Sequence, residues 1–260
     1  MPSYRASDGA SLAYTDDGPH EGPPLLFVHG WQADSRVWGP LIAHLEQPHR
    51  ILTVDLRGSG ASSGAPGPYR VEKFATDLSD LVESLDVDPM VVIGHSMGSL
   101  AAQRFAIDRP HAVEALVLIA ALPAAGAPFS PKAVDFFRRS AGDPDVRATW
   151  LKALTLRAPS AEVATLLAGA AATWPREAVL ESLESWLDAG FGEEAATIET
   201  PTLVLAPSDD RPMTPQVLQA TIADIIVGST LEVVAESGHY APVEQPAWLA
   251  RRIERYVEEL

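Results

Sequence analysis

The sequence predicts an α/β protein built on a mostly parallel, doubly wound sheet. Three observations predict it. Six short runs, residues 25–28, 51–54, 90–93, 116–119, 203–205 and 231–234, are apolar at nearly every position. Such runs suit strands buried on both faces, which a parallel sheet requires. Helical patterns alternate with them, and strand–helix alternation argues for a doubly wound sheet. Glycine, histidine, serine and aspartate cluster directly after the runs, at the carboxyl ends of strands where such sheets bind ligands.

In chain order, Asp8-Gly9 between short strand-like runs signals a hairpin. The first apolar run ends in His29-Gly30-Trp31, and the second in Asp55-Leu56-Arg57-Gly58. Residues 71–85 carry Phe74, Leu78, Leu81, Val82 and Leu85 at helical spacing with acids between. The third run ends in Gly94-His95-Ser96, and a helix is expected over 99–107. Thr214 is placed as an N-cap and Pro215 as the first residue of a helix over 215–226, and a last helix spans 248–260. Between the fourth and fifth runs, residues 123–198 break the rhythm as several short helices punctuated by prolines and glycines. Apolar faces come there from Phe136, Phe137, Trp150, Leu154, Leu166, Leu167, Trp174, Leu183, Trp186 and Leu187. The expected organisation is a core of residues 1–122 and 199–260 with a helical lid of residues 123–198.

Composition bounds the function. The 260 residues are 47% hydrophobic and 21% charged, as in an ordinary globular protein. Against 35 Asp and Glu stand 19 Lys and Arg, a net charge of −16. Phosphate backbones need a basic footprint and anionic membranes attract one, so neither nucleic acid nor membrane is an expected partner. The absence of cysteine removes disulfides, thiolate catalysis and Cys-ligated metals. Met1-Pro2-Ser3-Tyr4-Arg5 carries no signal-peptide pattern, and no apolar run reaches the roughly 20 residues of a membrane helix. A cytoplasmic protein is expected. Its oligomeric state is not legible.

The strongest chemical signal is Gly94-His95-Ser96-Met97-Gly98, a G-x-S-x-G pattern between a strand and a helix. A sharp strand-to-helix turn lifts the Ser96 hydroxyl clear of the sheet, and flanking glycines permit the close approach. The Met97 amide then points from the helix N-terminus at a developing oxyanion. A serine nucleophile needs a base. Of seven histidines, His239 alone stands at a strand's carboxyl end after the serine, in Ser237-Gly238-His239-Tyr240. An acid must orient that imidazole. Asp209 and Asp210 both follow the fifth run, and either fits on position alone.

Together these motifs resemble the α/β-hydrolase fold superfamily, in its small, capped form, over essentially the whole chain. The resemblance rests on His29-Gly30-Trp31, residues 55–60, the Gly94 to Gly98 elbow and Gly238-His239. It implies a triad of Ser96, Asp210 and His239, with Asp210 chosen by its spacing from the strand end. Pro207 replaces the glycine usual there, and Pro215 comes one residue late, so Asp209 stays open. It also implies that the Trp31 amide joins that of Met97 in the oxyanion hole. Trp31 and Trp38 are expected to wall the pocket, with Trp38 and His95 as substrate-binding candidates. Asp55 and Arg57 are expected to brace loops.

Relatives with an aspartate at the elbow form alkyl-enzymes; Ser96 favours acyl transfer instead. No metal or organic cofactor is expected. The leading expectation is a serine hydrolase of carboxylic esters or lactones of small hydrophobic or aromatic groups. C–C bond hydrolysis, non-hydrolytic cofactor-free chemistry and ligand binding without turnover are the alternatives on the same scaffold. Residues 123–197 hold seven Lys and Arg against ten Asp and Glu, which disfavours polyanionic substrates.

Overall fold

A computed structural model describes every residue except Glu21, Asp88, Pro128 and Pro212. Its centre is an eight-stranded sheet in the order β1-β2-β4-β3-β5-β6-β7-β8. Strands β1 (Ser3–Arg5) and β2 (Ser11–Asp17) form the hairpin expected at Asp8-Gly9, with Ser3 opposite Ala13. β2 pairs antiparallel with β4 (Ile51–Val54). From β4 onward every pairing is parallel, through β3 (Leu25–Val28), β5 (Met90–His95), β6 (Val113–Ile119), β7 (Thr202–Pro207) and β8 (Thr230–Val234).

Burial follows position in the sheet. β3, β5 and β7 are buried at every residue, whereas the edge strand β8 is buried only at Val234. This is why the inner strands read as unbroken apolar runs and the edge run tolerates Glu232.

Connection handedness sets the layers. The path from β3 to β4 through α1 (Gly39–Ile42) runs one way across the sheet. The path from β4 to β5 through α2 (Val71–Leu85) runs the other way. Right-handed crossovers in opposite directions put their helices on opposite faces. Accordingly α2 packs on α3 (Met97–Asp108), and α1 packs on the C-terminal α11 (Pro246–Glu258). The order reverses between β3 and β5, so the crevice at their carboxyl ends is the topological switch point.

The expected helix over 215–226 is only partly α-helical. α9 (Pro215–Leu218) is capped by the Thr214 side chain and gives way to a π turn over Gln219–Ala223. Asp224 donates its amide to the Gln219 carbonyl at 2.8 Å, and the Gln219 side chain returns to the Asp224 carboxylate at 2.7 Å. Leu218, Ile222 and Ile226 remain buried, so the wider turn keeps the apolar stripe facing the sheet.

The segment between β6 and β7 holds α4 (Pro131–Ser140), α5 (Pro144–Leu154), α6 (Ala161–Ala171), α7 (Arg176–Leu187) and α8 (Gly192–Ala195). The side chains of Ser130, Asp143 and Ser160 accept backbone N–H groups at the starts of α4, α5 and α6. Arg147 ties two helix ends together, donating to the carbonyls of Ser140 and Ala171. No helix among the described residues is long and apolar enough to cross a membrane.

Candidate active site

Ser96 sits between β5 and α3 with φ 52° and ψ −124°, a conformation costly for a residue with a Cβ. Close backbone approach holds it there. A Cβ on Gly98 would run into the backbone carbonyls of Val28 and His29, and one on Gly94 would meet the Ser99 Cα at 2.7 Å. Only glycines let α3 begin against β3 in this way. The elbow supplies the first turn of α3, which therefore starts two residues before the expected 99.

The three residues anticipated as a triad meet. The His239 imidazole lies 2.7 Å by Nδ1 from Asp210 Oδ2 and 2.9 Å by Nε2 from Ser96 Oγ. A carboxylate can only accept, so the Nδ1 proton is donated to Asp210 and Nε2 is left to accept from the serine hydroxyl. Asp210 is 1% exposed. Asp209 points to solvent and accepts a hydrogen bond from the Ser208 hydroxyl at 2.6 Å. The geometry selects Asp210 of the two.

The histidine loop is held from three sides. The His239 amide donates to the Leu154 carbonyl at the end of α5, at 2.7 Å. Its own carbonyl accepts from His95 Nε2 at 2.8 Å. Glu244, at the end of α10 (Ala241–Glu244), accepts from the Gly238 amide at 3.0 Å and the Leu156 amide at 2.7 Å. Burial pushes the Glu244 carboxyl up, against the opposing pull of these backbone donors.

His95 is wholly buried, and burial pushes its pKa down to about 3, with the neighbouring His239 adding to the effect. It stays neutral, with its proton on the nitrogen that faces the His239 carbonyl. His29 is likewise lowered by burial. Its Nδ1 donates to the Gly30 carbonyl and its Nε2 accepts the Leu56 amide, fixing the turn after β3.

That turn places Trp31. Gln32 beside it has φ 53°. Among the described residues neither the Trp31 nor the Met97 amide has an acceptor. The Trp31 ring is anchored by its Nε1–H, which donates to the Val179 carbonyl and the Ser182 hydroxyl of α7, each at 3.1 Å. Asp55 and Arg57 brace loops. Asp55 accepts the Ser35 and Ala61 amides, while Arg57 forks onto Asp77 and reaches the Pro66 carbonyl.

The cavity above Ser96 is small, about 40 Å³, and mostly aromatic. Trp31, Phe129, Phe137, Trp150 and Trp186 form its walls, with Leu122, Leu154, Met213, His95 and Tyr240 completing them. No Lys, Arg, Asp or Glu lines it among the described residues. His95 reaches the cavity, as expected. Trp38 does not, and that expectation is corrected. It is fully buried beneath the site, 5.1 Å from the Phe27 ring and edge-on to His95 at 6.3 Å. A tryptophan just after the oxyanion loop reads from sequence like a pocket wall, but the turn of Ser35–Trp38 aims it into the sheet. Sequence reasoning missed Leu122, Phe129, Met213 and Tyr240. Of these only Tyr240, adjacent to His239, carried a positional signal. Among the described residues no group of three His, Asp or Glu side chains is placed to hold a metal ion.

A nucleophile turn after the central strand of this sheet, with an acid and a base after the last two strands, is the architecture of α/β hydrolases. The alpha/beta hydrolase family model matches residues 25–252, and the chain belongs to that family. It is 28% identical over 255 residues to 3-oxoadipate enol-lactonase 2 of Acinetobacter baylyi, covering 95% of this chain and 94% of the relative. A thermophilic esterase from Thermogutta terrifontis superposes with a TM-score of 0.85 at 26% identity, covering 100% of this chain and 99% of that one. An esterase from Exiguobacterium antarcticum, at 20% identity, shares the fold with a TM-score of 0.90 over 98% of both chains.

Proposed function

We propose that this hydrolase cleaves small, uncharged carboxylic esters or lactones through an acyl-enzyme on Ser96. The observation that carries the reading is the unbroken hydrogen-bonded chain from Ser96 through His239 to Asp210 at the floor of an apolar cavity. In this reading Ser96 Oγ attacks the carbonyl carbon while His239 Nε2 takes the hydroxyl proton. Asp210 stabilises the imidazolium and holds the ring. The carbonyl oxygen, now an oxyanion, receives the Trp31 and Met97 amides, each worth about 3–4 kcal/mol in comparable sites. The tetrahedral intermediate collapses, His239 protonates the leaving alcohol, and the acyl group stays on Ser96. A water then gives a proton to His239 as it attacks the acyl carbon, and His239 returns that proton to Ser96 Oγ as the Ser96–acyl bond breaks and the acid leaves. Residues 123–198 act as the lid that excludes bulk solvent.

The enol-lactonase relative favours a lactone of a dicarboxylic acid as a second reading. Burying a carboxylate needs a paired cation, and the cavity wall offers none among the described residues. An uncharged substrate fits these walls better.

The test is hydrolysis of p-nitrophenyl esters from acetate to decanoate by wild type and Ser96→Ala. Wild type is expected to turn over the short esters fastest, because the cavity holds few atoms. Ser96→Ala is expected to lose at least about a thousandfold in kcat. Equal rates for the two proteins would rule out Ser96 as nucleophile. A folded wild type inert to every ester would shift the reading to non-hydrolytic chemistry or ligand binding.

A further inference from the structure

Three consecutive residues in the turn after β3 are tied to the helices that follow β6. The Trp31 indole donates to the Val179 carbonyl and the Ser182 hydroxyl of α7. Gln32 Nε2 donates to the Ser140 hydroxyl at the end of α4, at 2.8 Å. The Ala33 carbonyl accepts from Trp174 Nε1 at 2.8 Å. These partners lie 108 to 151 residues further along the chain, so each bond exists only once the helices have folded back over the crevice. On its other side the turn presses on the elbow, where a Cβ on Gly30 would lie 3.0 Å from the Ser96 Cβ. The Trp31 amide is thus set between the nucleophile and the helical segment.

Gln32 is the strained member of the three. Its φ of 53° lies in the left-handed region, which is costly for a residue with a Cβ. It is 1% exposed, and its Oε1 has no donor among the described residues. Glycine would take this turn at lower cost, so the stability of the turn does not account for a glutamine. What the side chain adds is one bond to a fixed acceptor. Ser140 is fully buried, its hydroxyl donates to the Phe137 carbonyl at 2.7 Å, and its carbonyl accepts the Arg147 guanidinium. Strained backbone held by its surroundings concentrates at functional sites. We propose that Gln32 is a positioning residue for the oxyanion hole. Through the Gln32–Ser140 bond the helical segment holds the turn that aims the Trp31 amide at the oxyanion, so that this segment builds part of the catalytic machinery as well as covering it. The inference rests on the Ser96 reading for the oxyanion it serves, and on the Gln32–Ser140 bond for its geometry.

The experiment measures p-nitrophenyl acetate hydrolysis by wild type, Gln32→Gly, Ser140→Ala and the double variant. Gln32→Gly frees the turn and removes the tether, whereas Ser140→Ala removes only the acceptor. Gln32→Gly is expected to lose about 10²-fold in kcat with KM near that of wild type, since a misplaced oxyanion donor weakens the transition state and not the bound ester. Ser140→Ala is expected to lose about tenfold, the worth of one neutral hydrogen bond. The double variant should lose no more than Gln32→Gly, because both substitutions remove the same bond. The pH dependence of kcat/KM should keep its wild-type midpoint, because His239 and Asp210 are untouched. Trifluoroacetone gives a second readout. Ser96 Oγ adds to its carbonyl carbon, His239 takes the hydroxyl proton, and the ketone oxygen becomes an oxyanion. Its inhibition constant should rise in Gln32→Gly by the factor by which kcat/KM falls. Wild-type kcat in both single variants overturns the proposal, as do a loss confined to KM, an unchanged inhibition constant, or losses that multiply in the double variant. A crystal structure of Gln32→Gly, or of Ser140→Ala should the glycine variant not fold, makes the test independent of turnover. A Trp31 amide turned away from Ser96 upholds the positioning role even if wild type is inert to every ester, an outcome that sinks only the hydrolytic reading. An amide left in place overturns the role even if serine-dependent hydrolysis stands.

Discussion

Two neighbouring aspartates follow β7, and only their surroundings tell them apart. Asp210 is buried against His239 Nδ1, whereas Asp209 faces water and its own neighbour Ser208. Asp210→Asn should therefore drop kcat by about 10⁴-fold, since the neutral amide cannot stabilise the imidazolium and can turn its NH₂ to Nδ1, holding the wrong tautomer. Asp209→Asn should leave kcat near that of wild type. A larger loss at Asp209, measured with p-nitrophenyl acetate, would reverse the assignment. The sequence could not make this choice firmly, because consecutive residues leaving a strand point in different directions. Ser96 and His239 were legible, because each stands alone in a motif whose mechanics demand that residue type. Trp38 was misread for the opposite reason, since nothing in a linear pattern says which way a short turn aims an indole.

Among the elements, the elbow is a joint between β5 and α3 that glycine alone permits. The histidine loop is a second joint, and the helical segment between β6 and β7 takes part in it. Leu154 at the end of α5 accepts the His239 amide, and Glu244 bridges the amides of Gly238 and Leu156. The end of α5 and the position of His239 are thus fixed by the same few hydrogen bonds. Glu244→Gln retains one acceptor oxygen and loses the other, so it should cost about 1.5–3 kcal/mol of stability for one charge-assisted bond. Glu244→Ala should cost more and should also lower kcat with p-nitrophenyl acetate, because His239 loosens. Thermal unfolding and kcat measured on both variants check this, and a Glu244→Ala protein with unchanged kcat would show that the clamp does not position His239. The amphipathic helix over 71–85 was legible from periodicity, because one face meets the sheet and the other meets water. The π turn after α9 was not, since it keeps the same apolar spacing at a slightly wider winding.

At the scale of the molecule, two buried neutral histidines link folding to pH. Burial lowers both His29 and His95 below the usual imidazole value of 6.5, the latter to about 3. Their folded pKa values lie below the unfolded one, so the unfolded chain takes up protons first as pH falls. Stability contributed by their neutral forms is present above about pH 6.5 and is lost as pH drops below it. For His95 the loss continues down to about pH 3. Each such group adds about 1.4 kcal/mol per pH unit to the slope. In urea unfolding between pH 6.5 and 4.5, wild type should therefore lose stability more steeply than His95→Gln by about that amount per unit. Parallel slopes for the two proteins would show that His95 is protonated in the folded state. The comparison cancels the effect of the −16 net charge, which both proteins share.

The sequence by itself determined the sheet and the hydrolase family, and singled out Ser96 and His239 as the proposed nucleophile and base. Strands buried on both faces must be apolar throughout, and a strained strand-to-helix turn must carry glycines where backbones touch. Those constraints are local in the chain and leave a local pattern. Tertiary structure alone decided which aspartate meets His239, where Trp38 goes and which residues between β6 and β7 enclose Ser96. Trp31 lies more than one hundred residues before Trp150 and Trp186 in the sequence, yet the three share one wall. No periodicity encodes that meeting, because it depends on how the helices between β6 and β7 fold back over the crevice.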